Sequence, residues 1–261
     1  MKSVKAFWWR DNNSNVMLNF GDEITPYILN KLFRLRPIRQ QPASADLACA
    51  GSIIGIVIRE SCGNKIKIWG SGLIMPLDNN SDFSNLEFCA VRGHKTKTQL
   101  GIDRDIPLGD PALLLPLITK PSRIKLHKVG ILPHYVDANL PVVKELQKQK
   151  GIHFIDVTAP VYRVIREITS CELILSSSLH GLIASDAYAI PNIWTPLSDS
   201  LTGGSFKFED YYSSLGRETK PYDINNFDVH MIRSYINDYC AIPMEKLKEM
   251  QKGLIDSFPM K

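Results

Sequence analysis

One segment in the second half of the chain combines residue types that can bind an anion and move a proton. The apolar run 173–175 is followed by three serines and then by His180 and Gly181. The apolar residues after Gly181 recur at helical spacing, which predicts a buried strand, a tight turn and a helix with histidine in its first turn. Backbone N–H groups and the helix dipole favour anions at such a turn. Because imidazole titrates near neutral pH, His180 is the first candidate for proton transfer.

Two interpretations are open for the residues of this turn. Ser176, Ser177 and Ser178 can contact an anion through hydroxyl and backbone groups, and we include Gly181 in the same contact surface. Serine is also a common N-cap, and His180 could cap its own turn. The capping and binding roles are compatible for the serines.

Two further residues follow predicted strands, where ligands bind in α/β folds. His134 comes after the strand 128–132 and Pro133, and its structural alternative is a loop histidine with one hydrogen bond. Arg92 ends another strand, and its planar guanidinium suits a carboxylate or a phosphate. The alternative for Arg92 is a surface ion pair.

An acidic turn and a lone lysine complete the set of candidates. Gly21, Asp22 and Glu23 precede an apolar helical pattern, with Asp22 as the expected N-cap. The two acids could instead accept hydrogen bonds from substrate hydroxyls, or one of them could act as a base. Lys207 follows two glycines in a segment rich in Phe and Tyr, which we interpret as a mobile loop over a cleft. A solvated lysine is the alternative.

Composition narrows the classes of function. The 261 residues are 44% hydrophobic and 22% charged, as in ordinary globular proteins, and a scattered net charge of +4 does not favour nucleic acid. The five cysteines are far apart, which indicates reduced thiols rather than disulfides or zinc ligands. We expect no metal site, and neither a P-loop nor a G-x-G-x-x-G motif is present.

The order of apolar runs predicts an α/β fold with parallel sheets. Strands and helices alternate at the spacing of βαβ units in both halves. We expect two Rossmann-like domains facing a cleft, with boundaries at 1–118 and 128–261 and a linker at 119–127. The predicted strands are 4–9, 47–51, 66–69, 88–92, 128–132, 153–156, 173–176 and 192–194, and the predicted helices begin near residues 24, 95, 111, 140, 161 and 179, with two or three more after residue 228.

No segment reads as a leader or as a membrane span. The first residues enter a strand directly, and the longest apolar run, 111–118, is too short to cross a bilayer. We therefore expect a cytoplasmic protein. The amphipathic segment 244–255 is expected to pack on the body, and the alternative is peripheral association with the inner face of the membrane.

Seven short blocks, taken in order, resemble the polysaccharide pyruvyl transferase family over nearly the whole chain. The strongest match is the block 177–181, with the sequence SSLHG. The other blocks are NFGDE at 19–23, WGSG at 69–72, VRG at 91–93, LGDPA at 108–112, GILPHY at 130–135 and FKFEDY at 206–211.

The resemblance implies both an architecture and a reaction. It implies two Rossmann-like halves arranged as in GT-B glycosyltransferases, phosphoenolpyruvate as the donor substrate and no other cofactor. The acceptor would be a sugar of a bacterial surface polysaccharide or exopolysaccharide, or its lipid-linked oligosaccharide precursor, and the product a pyruvate ketal. Some longer relatives carry Arg where this chain has Ser178, so a donor contact must come from elsewhere.

The chemistry of phosphoenolpyruvate gives the candidates their expected roles. The methylene carbon must be protonated before a sugar hydroxyl adds, and His180 is the expected acid, with His134 as the second catalytic candidate. Asp22 and Glu23 are expected to meet hydroxyls of the acceptor. The full set of residues expected to contact substrates is Arg92, Ser176, Ser177, Ser178, Gly181, Gly21, Asp22, Glu23 and Lys207. Two alternatives stay open, namely a GT-B glycosyltransferase that uses a nucleotide sugar and a non-catalytic glycan-binding protein.

Overall fold

The computed structural model describes residues 1–10, 18–78, 80–198 and 203–260. It confirms the α/β class, because its strands form two sheets that are parallel throughout. The first sheet has the order β2-β1-β3-β4-β5. Its strands are β1 (Ser3–Phe7), β2 (Arg36–Arg39), β3 (Leu47–Ala48), β4 (Ile66–Ser71) and β5 (Leu86–Val91).

The second sheet has the order β7-β6-β8-β9. Its strands are β6 (His127–Leu132), β7 (Ile152–Phe154), β8 (Cys171–Ser176) and β9 (Asn192–Trp194). The first strand of each half, β1 or β6, lies inside its sheet. The next strand along the chain, β2 or β7, pairs with one side of it, and the following strand, β3 or β8, pairs with the other side. The strand order therefore reverses between β1 and β3 and between β6 and β8, and crevices form beyond the carboxyl ends at such points.

Helices connect the strands and cover the sheets. The α-helices are α1 (Phe20–Lys31), α2 (Ile54–Glu60), α3 (His94–Gln99), α4 (Pro141–Gln147), α5 (Val161–Thr169), α6 (Leu179–Ala187), α7 (Phe206–Leu215), α8 (Ile232–Asp238) and α9 (Met244–Asp256). Short 3-10 helices lie at Pro42–Ser44, Pro111–Leu117, Ile224–Asn226 and Val229–Met231. Within the ranges described above, no helix is both long and apolar enough to span a membrane.

The first helix begins earlier than its sequence pattern predicts. Its N-cap is Asn19, whose side chain accepts a hydrogen bond from the Gly21 amide at 3.1 Å. The prediction of Asp22 as the N-cap is therefore wrong, and Asp22 lies in the first turn instead. Pro26 consequently lies inside the helix and has no N–H to donate to the Asp22 carbonyl.

One continuous hydrophobic cluster joins the two sheets. It includes Ala6 and Trp69 from the first sheet and Ile174 from the second. Helix α6 is buried almost all round, and the 3-10 helix Pro111–Leu117 packs against it. The tail returns to the first half, where the Trp69 indole N–H donates to the Leu254 carbonyl at 2.9 Å. The division into domains at 119–127 stays a prediction.

Three elements differ from the sequence-based expectations. Strand β2 was not predicted, because only Ile38 in it is a strongly apolar residue. Helix α2 was not predicted either, because its seven residues are too few for a clear helical period. The expected mobile loop around Lys207 is corrected: it is helix α7, whose aromatic side chains are core residues.

Candidate active site

A cavity of about 360 Å³ opens where the carboxyl ends of both sheets meet. Each switch point contributes to it, because the loops after β1, β3, β6 and β8 all form part of its wall. Its lining residues are Trp9, Asn19, Asp22, Gly51, Ser52, Ile53, Ile56, Arg59, Ile74, His134, Tyr135, Val136, Ser178, Leu179, His180 and Lys207.

The imidazole of His180 stands at the cavity wall in the first turn of α6. Ser178 is the N-cap in extended conformation and makes no side-chain cap bond, so its hydroxyl is not used by its own helix. The His180 side chain is 12% exposed, and its Nε2 lies 3.5 Å from Oδ2 of the buried Asp110. Sequence and structure therefore agree on the local design of this turn, a strand followed by a histidine-bearing helix.

Gly21 supports the other edge of the same imidazole. A Cβ atom at Gly21 would lie 2.2 Å from His180 Nδ1, so α1 can approach the ring only because residue 21 is glycine. Gly21 does not line the cavity. Gly21 thus makes a packing contact with His180, and its expected contact with substrate stays a prediction.

Asp110 was not singled out from the sequence. It lies beyond β5, where the Gly109 amide donates to the Val91 carbonyl at 3.0 Å and draws the segment to the carboxyl edge of the first sheet. Its Oδ1 caps the following 3-10 helix by accepting from the Ala112 amide at 2.9 Å. The signal in the sequence was Asp-Pro, a typical N-cap followed by proline at N1.

His134 lies in the turn that follows β6 and faces the same cavity. Its Nδ1 is buried without a hydrogen-bond partner among the described residues. Burial, reinforced by the positive charges of Lys207 and His180, lowers the pKa of His134 to about 4. The ring is therefore neutral near pH 7 and can serve as a hydrogen-bonding group for substrate.

Of the three serines, only Ser178 lines the cavity. Ser177 is fully buried, accepts a hydrogen bond from the His134 amide at 2.9 Å and donates to Asp137 at 2.8 Å. Ser176 donates to the Leu132 carbonyl at 2.7 Å. The hydroxyl groups of Ser176 and Ser177 hold the ends of β6 and β8 together, and the expected contacts of these two residues with substrate stay predictions.

Gly181 has a packing role for the same reason. A Cβ atom there would lie 2.5 Å from Ser176 Oγ and 3.0 Å from a methyl group of Leu132. Glycine lets the first turn of α6 sit directly on the strand ends. The expected contact between Gly181 and substrate stays a prediction.

Lys207 projects from the first turn of α7 into the cavity wall. It is 9% exposed, and its Nζ lies 5.4 Å from the centre of the Phe208 ring. Burial lowers the pKa of Lys207 to about 8, with a further contribution from the positive charge of Arg92. A buried cation without a carboxylate partner within 4 Å, among the residues that the structure describes, is suited to meet an anionic ligand.

Asp22 brings a carboxyl group to the wall of the same cavity. Burial raises its pKa to about 7; His180 and Lys207 oppose this shift, and the neighbouring Glu23 adds to it. A carboxyl group that titrates near neutral pH can accept a proton from a hydroxyl group. Asp22 therefore lies at the cavity and has a pKa suited to a general base.

Glu23 is directed away from the cavity. Both of its oxygens accept from Arg10, at 2.7 and 2.8 Å, and the Trp8 indole donates at 3.3 Å. A bidentate pair of this kind occupies the carboxylate. The expected role of Glu23 as a substrate contact or base is therefore corrected to one of holding the segment after β1.

Arg92 is completely buried and lies behind the cavity wall. Its Nε pairs with Asp210 Oδ2 at 2.9 Å, and both side chains are 0% exposed. Its Nη1 donates to Ser52 Oγ at 2.6 Å and its Nη2 to the Leu73 carbonyl at 2.6 Å. The expected direct contact with an anion is corrected, because all three nitrogens bind within the protein and join the Lys207 helix to the turn after β3.

Arg59 supplies a positive charge that the sequence did not indicate. It lies in the last turn of α2, lines the cavity and is exposed. No motif distinguishes it from other surface arginines. The cavity therefore joins two cations, two imidazoles and a carboxyl group, which suits binding of a dianion and proton transfer.

No group of three or more His, Cys, Asp or Glu side chains arranged for a metal ion occurs in the described part of the chain.

Comparison with known proteins adds an independent finding. Residues 5–199 match the family model for polysaccharide pyruvyl transferases. The chain is 27% identical over 220 residues to the succinoglycan biosynthesis protein ExoV of Rhizobium meliloti (strain 1021), covering 84% of this chain and 67% of that protein. It is 28% identical over 214 residues to the uncharacterized protein L143 of Acanthamoeba polyphaga mimivirus, covering 78% of this chain and 74% of the relative. The matched region contains the whole cavity except Lys207, and the chain belongs to the polysaccharide pyruvyl transferase family.

Proposed function

We propose that this protein transfers the pyruvyl group of phosphoenolpyruvate to a sugar of a cell-surface polysaccharide or exopolysaccharide, or to its lipid-linked precursor. The product is a pyruvate ketal that bridges two sugar hydroxyls, and phosphate is released. One observation carries the proposal: His180, Lys207 and Arg59 meet in a single cavity of about 360 Å³, whose other lining residues all lie in the region that matches the family. The donor is itself a substrate, and the reaction needs no further cofactor.

The two anionic groups of phosphoenolpyruvate match the charges of this cavity. Lys207 lies buried in the wall and Arg59 is exposed at it, so the two cations can each meet one anion of the donor. Ser178 and the amino end of α6 add hydrogen-bond donors beside them. These groups take the place of Arg92 and of the arginine that some longer relatives carry at position 178.

His180 is proposed to start the reaction by protonating the methylene carbon of the donor. The double-bond electrons form the new C–H bond, and the central carbon becomes cation-like. A sugar hydroxyl then adds to that carbon and loses its proton. The carbon–oxygen bond to phosphate then breaks, and phosphate leaves with the bonding electrons. A second hydroxyl adds to the same carbon, closes the ring and returns its proton to His180. A positioned acid of this kind contributes ~10²–10⁴-fold in rate.

The acceptor sugar is proposed to meet Asp22 and Trp9. Asp22 can take the proton of the attacking hydroxyl when its carboxyl group is ionised. Trp9 is 41% exposed and lines the cavity, so its ring can stack on the apolar face of a sugar. Acceptor and donor would then occupy different parts of the cavity wall.

The pKa values of Asp22 and Lys207 predict a bell-shaped dependence of kcat/KM on pH. Activity should rise as Asp22 loses its proton near pH 7 and fall as Lys207 loses its proton near pH 8. Asp22→Asn should abolish the rising limb, and Lys207→Arg should move the falling limb to higher pH, because arginine keeps its charge. Initial rates measured from pH 5.5 to pH 10 test both limbs, and a wild-type profile in Lys207→Arg would contradict the assignment.

Replacing Gly21 with alanine should reduce turnover by ~10²-fold. The new Cβ would lie 2.2 Å from His180 Nδ1 and must displace the imidazole, and a misplacement of ~1 Å can cost that much. The measurement is kcat, with a thermal melt to show that the protein is folded.

Gly253→Ala provides the matched control for this substitution. Gly253 is also a helical glycine, it does not line the cavity, and a Cβ atom there would lie 3.2 Å from Pro107. Near-native kcat in Gly21→Ala would mean that the ring has room to move without loss of activity.

Calorimetric titration distinguishes the proposed function from its alternatives. Phosphoenolpyruvate should bind saturably to the wild-type protein and more weakly, by at least ~10-fold, to Lys207→Met, because the methionine removes the buried charge. Binding of nucleoside diphosphates without phosphoenolpyruvate would favour a glycosyltransferase. Binding of glycan without either donor would favour a non-catalytic role.

A further inference from the structure

We infer that Asp110 is the positioning residue of His180: its carboxylate holds the proton on Nε2 and leaves Nδ1 as the nitrogen that exchanges a proton with substrate. The inference rests on the proposed function for the reaction itself. The hydrogen-bonded state of the ring can be tested without any substrate.

Two buried atoms that lack partners face each other at this point. Asp110 Oδ2 and His180 Nε2 are both buried, and neither has a hydrogen-bond partner among the described residues. They lie 3.5 Å apart, and a movement of about 0.6–0.8 Å would bring them to the 2.7–2.9 Å of a charge-assisted hydrogen bond. Buried polar atoms rarely remain unsatisfied, so each is the natural partner of the other.

The direction of the Asp110 carboxylate is fixed by its own helix cap. Oδ1 accepts from the Ala112 amide at 2.9 Å, so the group cannot rotate without losing the cap. Pro111 is held close to the backbone of β4, since a Cβ atom at Gly70 would lie 2.4 Å from its ring. The second oxygen is thereby aimed at His180 by a rigid support.

The surroundings of the ring leave Asp110 as its orienting group. Among the described residues it is the carboxylate that comes within 4 Å of a His180 nitrogen. On the other edge, Nδ1 lies against Gly21, which offers no side chain. A carboxylate that receives one imidazole N–H fixes the tautomer and stabilises the imidazolium, as in the aspartate–histidine pair of serine hydrolases.

The pair joins the two halves of the molecule. Asp110 follows β5 of the first sheet, whereas His180 lies in the first turn of α6, after β8 of the second sheet. The proton-transfer group is therefore complete only where the 3-10 helix Pro111–Leu117 packs on α6. The packing of this 3-10 helix on α6 therefore positions the Asp110–His180 pair in addition to stabilising the fold.

The test is Asp110→Asn, examined by ¹⁵N–¹H NMR of the histidine side chains at a pH where imidazoles are neutral. Asparagine retains an oxygen for the Ala112 amide but removes the negative charge. The wild-type His180 ring should carry its proton on Nε2, and the variant should show the Nδ1–H form or a mixture. In the transfer assay kcat should fall by at least ~10²-fold while KM for phosphoenolpyruvate changes little.

Two further variants keep the result interpretable. Asp110→Ser retains a good N-cap without a carboxylate, so it should reproduce the change in tautomer even if the asparagine variant folds poorly. Asp223→Asn alters the cap of another 3-10 helix and should leave the His180 signals and kcat unchanged. An unchanged Nε2–H ring in folded Asp110→Asn or Asp110→Ser would overturn the inference. A changed ring together with absence of any pyruvyl transfer would instead overturn only the proposed function.

Discussion

Replacing His180 with glutamine should lower kcat for pyruvyl transfer by ~10²–10⁴-fold, because glutamine cannot protonate the donor's methylene carbon. The side chain lies at the wall of the cavity and is 12% exposed, so the change should not disturb the core. Binding of phosphoenolpyruvate should change by less than ~10-fold, because Lys207 and Arg59 remain in place. Phosphate release, followed together with calorimetric binding, separates the two effects.

His230→Gln is the matched control for this experiment. His230 lies in the 3-10 helix Val229–Met231 and does not line the cavity, so its replacement should leave kcat unchanged. If His180→Gln retained near-native turnover, the acid role would pass to His134, whose imidazole faces the same cavity.

Replacing Arg92 with leucine should lower the free energy of unfolding by ~3–5 kcal/mol, because it leaves Asp210 charged and buried without its partner. Both side chains are 0% exposed, and Arg92 also donates to Ser52 and to the Leu73 carbonyl. Among the described residues, Thr96 would remain the side-chain partner of Asp210, through hydrogen bonds from its amide and its hydroxyl. Urea denaturation measured by circular dichroism gives this free energy.

A surface ion pair supplies the comparison. Lys252 and Asp256 pair on α9 at 2.6 Å but are 79% and 58% exposed, so Lys252→Ala should change stability little. If Arg92→Leu were as stable as the wild-type protein but had a raised KM for phosphoenolpyruvate, Arg92 would instead be assigned the direct contact with the donor that the sequence suggested.

The sequence indicates the fold best where burial and turns are local. β8 and α6 could be predicted because an apolar run, serines and a helical period follow one another directly. The strand β2 could not, because it lies at a sheet edge and its sequence, RPIR, is polar. The sequence does not indicate helix α7, because its buried residues are mostly aromatic, charged or polar and include a single aliphatic one, Leu215.

For the site, the sequence indicates which residue types can act but not which neighbours engage them. His180, His134, Asp22, Ser178 and Lys207 all reach one cavity. The side chains of Arg92 and Glu23 are of types that can bind anions or hydroxyl groups. In the folded protein, however, Arg92 pairs with Asp210 and Glu23 pairs with Arg10. Such pairing depends on tertiary contacts, and the same holds for Asp110 and Arg59, which local patterns did not single out.

The most direct test of the account is a transfer reaction followed by ¹³C NMR and mass spectrometry. The purified protein is incubated with ¹³C-labelled phosphoenolpyruvate and aryl glycosides of galactose, glucose and mannose, beside His180→Gln. The account predicts phosphate release, a labelled ketal carbon on one of the sugars and a mass increase of pyruvic acid less one water, all lost in the variant. Unreacted phosphoenolpyruvate, together with glycosyl transfer from a nucleotide sugar to the same acceptors, would contradict it.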